Sequence, residues 1–154
     1  MAPELSLAVQ YAEAAPELPR WRLRRWVLRT LEQATDTLPG LSSATLTLRL
    51  VGLEEGRELN LAYRERDYAT NVLTFEYGME PEGSLAADIV LCVPVLERES
   101  REQGKTLLNH AAHLTVHGVL HALGHDHIDT VEARDMEALE TRILASLGIS
   151  DPYA

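Results

Sequence analysis

Apolar and polar positions along the chain alternate between two periods, and the switches mark the elements. Residues 5–9 (Leu-Ser-Leu-Ala-Val) and 44–50 (Ala-Thr-Leu-Thr-Leu-Arg-Leu) alternate with period two, the pattern of half-buried strands. Residues 71–75 read as a short strand. Residues 86–93 are almost all apolar, which predicts a central strand. Between Pro19 and Pro39-Gly40, residues 20–37 follow a helical period. Its apolar face is either Trp21, Leu28 and Leu31 or Leu23 and Trp26. Further helices are expected over 53–65, over 94–102 with Pro94 in the first turn, over 105–123 after Gly104, and over 131–147 before Gly148. No repeat or linker divides the 154 residues. The order predicts one α+β domain over residues 1–154, with about four strands in a mixed sheet covered by helices.

Composition narrows the setting. Hydrophobic residues make up 45% and charged residues 25%, ordinary globular usage that argues against global disorder. The longest apolar run, 89–96, is far short of the ~20 residues of a membrane span. The first residues lack the basic start and apolar run of a secretory signal, and Cys92 is the only cysteine, so a reducing, cytoplasmic location is expected. The net charge of −10 argues against coating nucleic acid by bulk electrostatics. Arg22, Arg25 and Arg29 nevertheless fall along one helical stripe that offers either a solvated face or phosphate contacts.

All 6 histidines fall between residues 110 and 127. His117 and His121 are one helical turn apart on one face, where two imidazoles can reach a single ion. Gly124 supplies the left-handed turn that ends a helix, and His127 then returns as a third nitrogen. Three nitrogens leave a position for water, the arrangement of a catalytic zinc, although imidazole also suits nickel, copper and iron. His110, His113 and His125 read as core or surface residues. Asp126 and Asp129 either orient a ligand or cap a helix.

The spacing His-x-x-x-His-x-x-Gly-x-x-His resembles the zinc motif of metzincin proteases. In those enzymes a glutamate general base follows the first histidine, and here that position is Gly118. A protease reading therefore lacks its base.

Three blocks resemble the YbeY family of bacterial metal-dependent endoribonucleases. His117-Gly-Val-Leu-His121-Ala-Leu-Gly124-His125-Asp126-His127 follows the family's His-Gly-x-Leu-His-x-x-Gly-Tyr-Asp-His, with His125 in place of tyrosine. Residues 59–75 follow Leu-Asn-x-x-Tyr-Arg-x-Lys-Asp-x-Pro-Thr-Asn-Val-Leu-Ser-Phe, with Arg66 for lysine and Ala69 for proline. Residues 87–90 resemble a Gly-Asp-Ile strand, and the tail through Pro152-Tyr153 also fits. The likeness is strong over 45–154 and only in pattern before that. The substitution at 125 is expected to add an imidazole near the metal.

The resemblance implies an α+β fold with a four-stranded sheet and a metal site in a cleft at the end of a long helix. It implies a single-strand-specific endoribonuclease of ribosomal RNA maturation, acting at the 3′ end of small-subunit RNA and in ribosome quality control. One zinc per chain, or another transition metal such as nickel, is expected at His117, His121 and His127. Arg64 is expected to bind the phosphate and act in catalysis, because a guanidinium offers paired donors to two oxygens. Arg66 is a second substrate-binding candidate. Expected partners are single-stranded and ribosomal RNA and the small ribosomal subunit or its assembly factors, with no membrane and no DNA. Two competing readings remain: a metallohydrolase or protease of another substrate, and a ribosome-assembly factor whose metal is structural.

Overall fold

The computed structural model describes residues 3–125 and 129–153. In chain order the elements are β1 (Glu4–Tyr11), α1 (Arg20–Ala34), a single 3-10 turn (Thr35–Thr37), β2 (Ser43–Val51), α2 (Leu53–Arg64), β3 (Val72–Met79), β4 (Ser84–Cys92), α3 (Val93–Gln103), α4 (Leu107–Ala122) and α5 (Thr130–Ser146). Every element expected from the pattern is present, with ends shifted by a few residues. The strands form one mixed sheet in the order β1-β2-β4-β3. β1 and β4 run parallel to β2, while β3 is an antiparallel edge strand beside β4. The apolar strand β4 is accordingly internal.

The two sheet faces differ. Leu46, Leu48 and Leu50 of β2 and Leu85, Ala87, Ile89 and Leu91 of β4 point into the main core beneath α1, α4 and α5. The opposite face carries a smaller cluster, Val51, Leu73, Val90, Cys92 and Val95, packed against Leu59 of α2. Helix α1 buries Leu23, Trp26, Val27, Leu31 and Ala34, so the face containing Leu23 and Trp26 is the inner one. Trp21 is 60% exposed, because a helical step of 100° carries it round to solvent.

Helix α4 is buried on most sides, as expected of a helix without a strongly polar face. Thr106 caps its start by accepting from the Asn109 N–H. At its end Gly124 adopts φ +97, and the N–H groups of Gly124 and His125 donate to His121 O and Leu120 O at 2.9 and 3.0 Å. This is the left-handed stop expected from the sequence. Asp129 caps α5 by accepting from Glu132 N at 2.8 Å, so capping is its observed role. Among the described residues no helix is long and apolar enough to cross a membrane.

Gly118 sets the approach of α4 to the sheet. A Cβ at this position would lie 2.8 Å from Ile89 Cγ2 and 3.4 Å from Val72 Cγ2. The Thr74 hydroxyl also donates to Gly118 O at 3.3 Å. Gly118→Ala should therefore overpack this contact, and equilibrium urea unfolding should show a loss of about 1–3 kcal/mol. Unchanged stability would mean that the helix has room to move away from β4.

Candidate active site

Because β3 is an edge strand, a cleft wraps around it from the α4 side to the polar part of the opposite sheet face. The cleft measures about 1060 Å³. Val72 to Tyr77 of β3 lie along it, Gln10, Thr47, Arg49 and Asp88 form its floor, Tyr63 and Arg64 of α2 overhang it, and His117 and His121 close it from α4. The floor is polar because alternate residues of β1, β2 and β4 face away from the main core. Arg49 is already neutralised there by a paired contact with Glu55, its Nε and Nη2 donating at 2.6 and 3.0 Å.

His117 and His121 meet as their spacing predicts. Their Nε2 atoms are 3.1 Å apart. Two nitrogens bound to one tetrahedral zinc at ~2.0–2.1 Å lie about 3.3 Å from each other, so the pair fits a shared ion closely. The orientation of His117 is fixed from behind. Its Nδ1–H donates to Glu140 Oε1 at 2.5 Å, which leaves Nε2 as the lone-pair donor facing the cleft. Glu140, on α5, is fully buried. Its other carboxylate oxygen accepts a hydrogen bond from the Tyr153 hydroxyl, and His113 Nε2 lies 3.7 Å away. Burial pushes the Glu140 pKa up, but the nearby His113 imidazole and hydrogen bonds from His117 and Tyr153 outweigh it and hold it down to about 2. Burial and the adjacent Glu140 carboxylate push the Tyr153 phenol up. A buried carboxylate behind a histidine is a common support for a metal ligand.

The third expected ligand, His127, lies outside the described residues, as does Asp126. Among the described residues no group of three or more potential ligands gathers around one point. The donor set that can be examined is the His117–His121 pair, and its chemistry suits a borderline-soft divalent ion. Cys92 is buried elsewhere, beneath α2.

Arg64 occupies the last turn of α2 and lines the cleft. The helix ends there because Glu65 turns left-handed at φ 58, its N–H donating to the Asn60 and Leu61 carbonyls. Asn60, buried at the helix end, donates from Nδ2 to Tyr68 O at 2.7 Å and holds the following loop in place. Among the described residues Arg64 makes no hydrogen bond or ion pair. Arg66 is exposed on the loop past the helix and is not among the residues lining the cleft.

One expectation is corrected here. His125 does not add an imidazole to the cleft: its Nε2 pairs with Thr37 Oγ1 at 2.8 Å, and burial lowers its pKa. The Arg22, Arg25 and Arg29 stripe, which the sequence offers either as a solvated face or as phosphate contacts, lies outside the cleft, which no described residue of α1 lines. Arg29 instead donates to Ser146 O at 2.7 Å, and Arg22 lies over the Trp21 ring at 4.7 Å. As expected, His110 is a core residue. Its Nε2 lies 2.9 Å from Glu99 Oε1, and Glu99 also accepts from Asn71 Nδ2 at 3.0 Å. Sequence reasoning assigned no role to Glu140 or Glu99, and none to Tyr153 beyond its place in the matching tail.

Comparison with known proteins bears on the whole chain. The family model described as Endoribonuclease YbeY matches residues 9–148. A protein of that name from Bordetella petrii is 69% identical over 155 residues, covering 100% of both chains. Another, from Thiobacillus denitrificans, is 51% identical over 99% of both. Similarity thus extends through the N-terminal part that resembled the family only in pattern. A solution structure of a Thermotoga maritima protein shares the fold, with TM-score 0.58 and 22% identity, over 95% of this chain and 97% of that one. With the matched segment spanning strands, cleft and histidine helix alike, the chain belongs to the YbeY endoribonuclease family.

Proposed function

We propose that the cleft between α2, β3 and α4 is where this chain hydrolyses phosphodiester bonds of single-stranded RNA, with a transition metal, zinc for preference, held by His117, His121 and His127. The observation that carries the reading is the facing Nε2 pair of His117 and His121, 3.1 Å apart in the same cleft as Arg64. A metal ion held there supplies Lewis acidity toward a phosphoryl oxygen and acidifies a coordinated water. The protein groups have separate tasks. Glu140 keeps His117 in the tautomer that presents Nε2 to the cleft. Tyr153 holds Glu140 from the other side. The Arg64 guanidinium offers two parallel donors to the phosphate and neutralises charge that develops on it. Arg66, on the loop beyond, is a secondary contact for an extended strand. Gly118 leaves no carboxylate where a metzincin protease needs its base, and the contact with Ile89 leaves no room for a glutamate there.

Ribosomal RNA is the proposed natural substrate, with small-subunit maturation in the cytoplasm as the setting. A chain of net charge −10 has little electrostatic attraction for free RNA, so positioning by the small ribosomal subunit or an assembly factor complements the cleft.

The purified protein should carry about one transition metal ion per chain by native mass spectrometry. A His117→Ala/His121→Ala double variant should carry none, and equal content in both would sink the assignment. Glu140→Gln should retain the fold yet bind the ion about 10–100-fold more weakly in a chelator competition. Undiminished affinity would show that Glu140 does not orient His117. Arg64→Ala should keep metal and fold but lose about 10²–10³ in cleavage rate. Loss of metal in that variant would instead make Arg64 a structural support.

A further inference from the structure

Large aromatic side chains are exposed together at one place in the cleft. Tyr63 is 67% and Tyr77 63% exposed, and both line it. The Tyr63 ring meets Phe75 at 4.6 Å between centroids, edge to face at 65°. Phe75 pairs with Asp88 across the β3–β4 ladder, and Tyr77, just past it where the register shifts, reaches the same Asp88. The Tyr77 hydroxyl donates to Asp88 Oδ2 at 2.7 Å, which pins its ring above the floor. Scattered exposed aromatics need no explanation, but a contiguous, anchored group beside a reactive centre marks a binding surface. Resting on the nuclease reading above, we propose that Tyr63, Phe75 and Tyr77 form a platform on which unpaired nucleobases stack, delivering the adjoining phosphate to Arg64.

Charge decides the occupant. With a net charge of −10, the chain cannot draw most of its RNA affinity from phosphate neutralisation, as basic nucleic-acid binders do. Among the described residues that line the cleft, Arg49 is occupied by Glu55 and Arg64 is the guanidinium left for phosphate. Uncharged contacts therefore add to the few charged ones, and base–aromatic stacking contributes about 1–3 kcal/mol per base without demanding a particular sequence. Tyr63 and Arg64 both line the cleft from the last turn of α2, so one helix end supplies it with a flat apolar surface and a phosphate-binding group. The polar floor beneath, with Gln10 and Thr47, offers hydrogen-bonding groups to base edges. The platform also accounts for strand selection. In a duplex the base faces are stacked on one another, so only unpaired bases can use it.

The test is binding of a fluorescent oligoadenylate of about ten nucleotides to the full chain by anisotropy, beside an abasic strand of equal length. The parent should bind the base-bearing strand at least about 10-fold more tightly than the abasic one. Tyr63→Leu and Tyr77→Leu should each remove much of that preference, whereas Tyr63→Phe, which keeps the ring, should retain it. On the abasic strand the leucine variants should match the parent. Both tyrosines are mostly exposed, so melting temperatures should stay unchanged. As a second readout, the Tyr63 and Tyr77 ring resonances should move upfield on adding the oligoadenylate. If the parent does not distinguish the two strands, and Arg64→Ala weakens both equally, the platform is wrong while the RNA site stands. If the parent binds neither strand, the platform and the RNA reading under it both fall.

Discussion

The close approach of α4 to the sheet at Gly118 is the contact on which the site depends. A Cβ there would meet Ile89 within 2.8 Å, so the helix lies against the sheet only because the side chain is absent. His117 precedes this glycine and His121 follows one turn after it. Their position beside the edge strand β3 is inherited from that packing. A side chain at 118 would lift the pair away from the strand that carries Thr74, Phe75 and Tyr77. The same glycine stands where related spacing in proteases carries a glutamate. One small residue thus serves packing and excludes a different chemistry.

On a helix this deeply buried an unpaired polar group costs about 1–3 kcal/mol. Although Nδ1 of His110 and of His113 has no partner among the described residues, the Thr115 hydroxyl, His110 Nε2 and His117 Nδ1 are all paired. Thr115 returns its hydroxyl to Ala111 O at 2.7 Å. His110 pairs with Glu99, which in turn orients the cleft residue Asn71. His117 uses Glu140, whose remaining oxygen is taken by Tyr153 near the end of the chain. Buried charge is expensive unless several donors converge on it, and at Glu140 they come from α4 and from the C-terminal segment. The support of the site is therefore assembled by tertiary contacts, with α5 and the tail closing behind the histidine.

This explains what the sequence revealed. Period-two and period-3.6 patterns are local, so the strands, the helices and the internal position of β4 were legible in residues such as Leu46, Leu48 and Leu50. The His117–His121 pair was legible because four residues make one turn. Gly124 was legible because its left-handed φ favours glycine. Glu140 was not, since 23 residues separate it from His117 and an acidic residue on an amphipathic helix has no local mark of burial. The inner face of α1 was ambiguous between two tryptophans until packing against α4 selected Trp26. His125 illustrates the opposite error: adjacency in sequence to the metal motif suggested adjacency in space, but the turn at Gly124 directs it to Thr37.

The account requires that cleavage depend on one ion held beside Arg64, and a metal add-back titration tests that most directly. Protein stripped by a chelator should leave single-stranded RNA intact. Restoring zinc stepwise should raise the cleavage rate in proportion and stop at about one equivalent per chain. Undiminished cleavage by the verified metal-free protein, or no recovery with one bound ion of any divalent transition metal, would contradict the account.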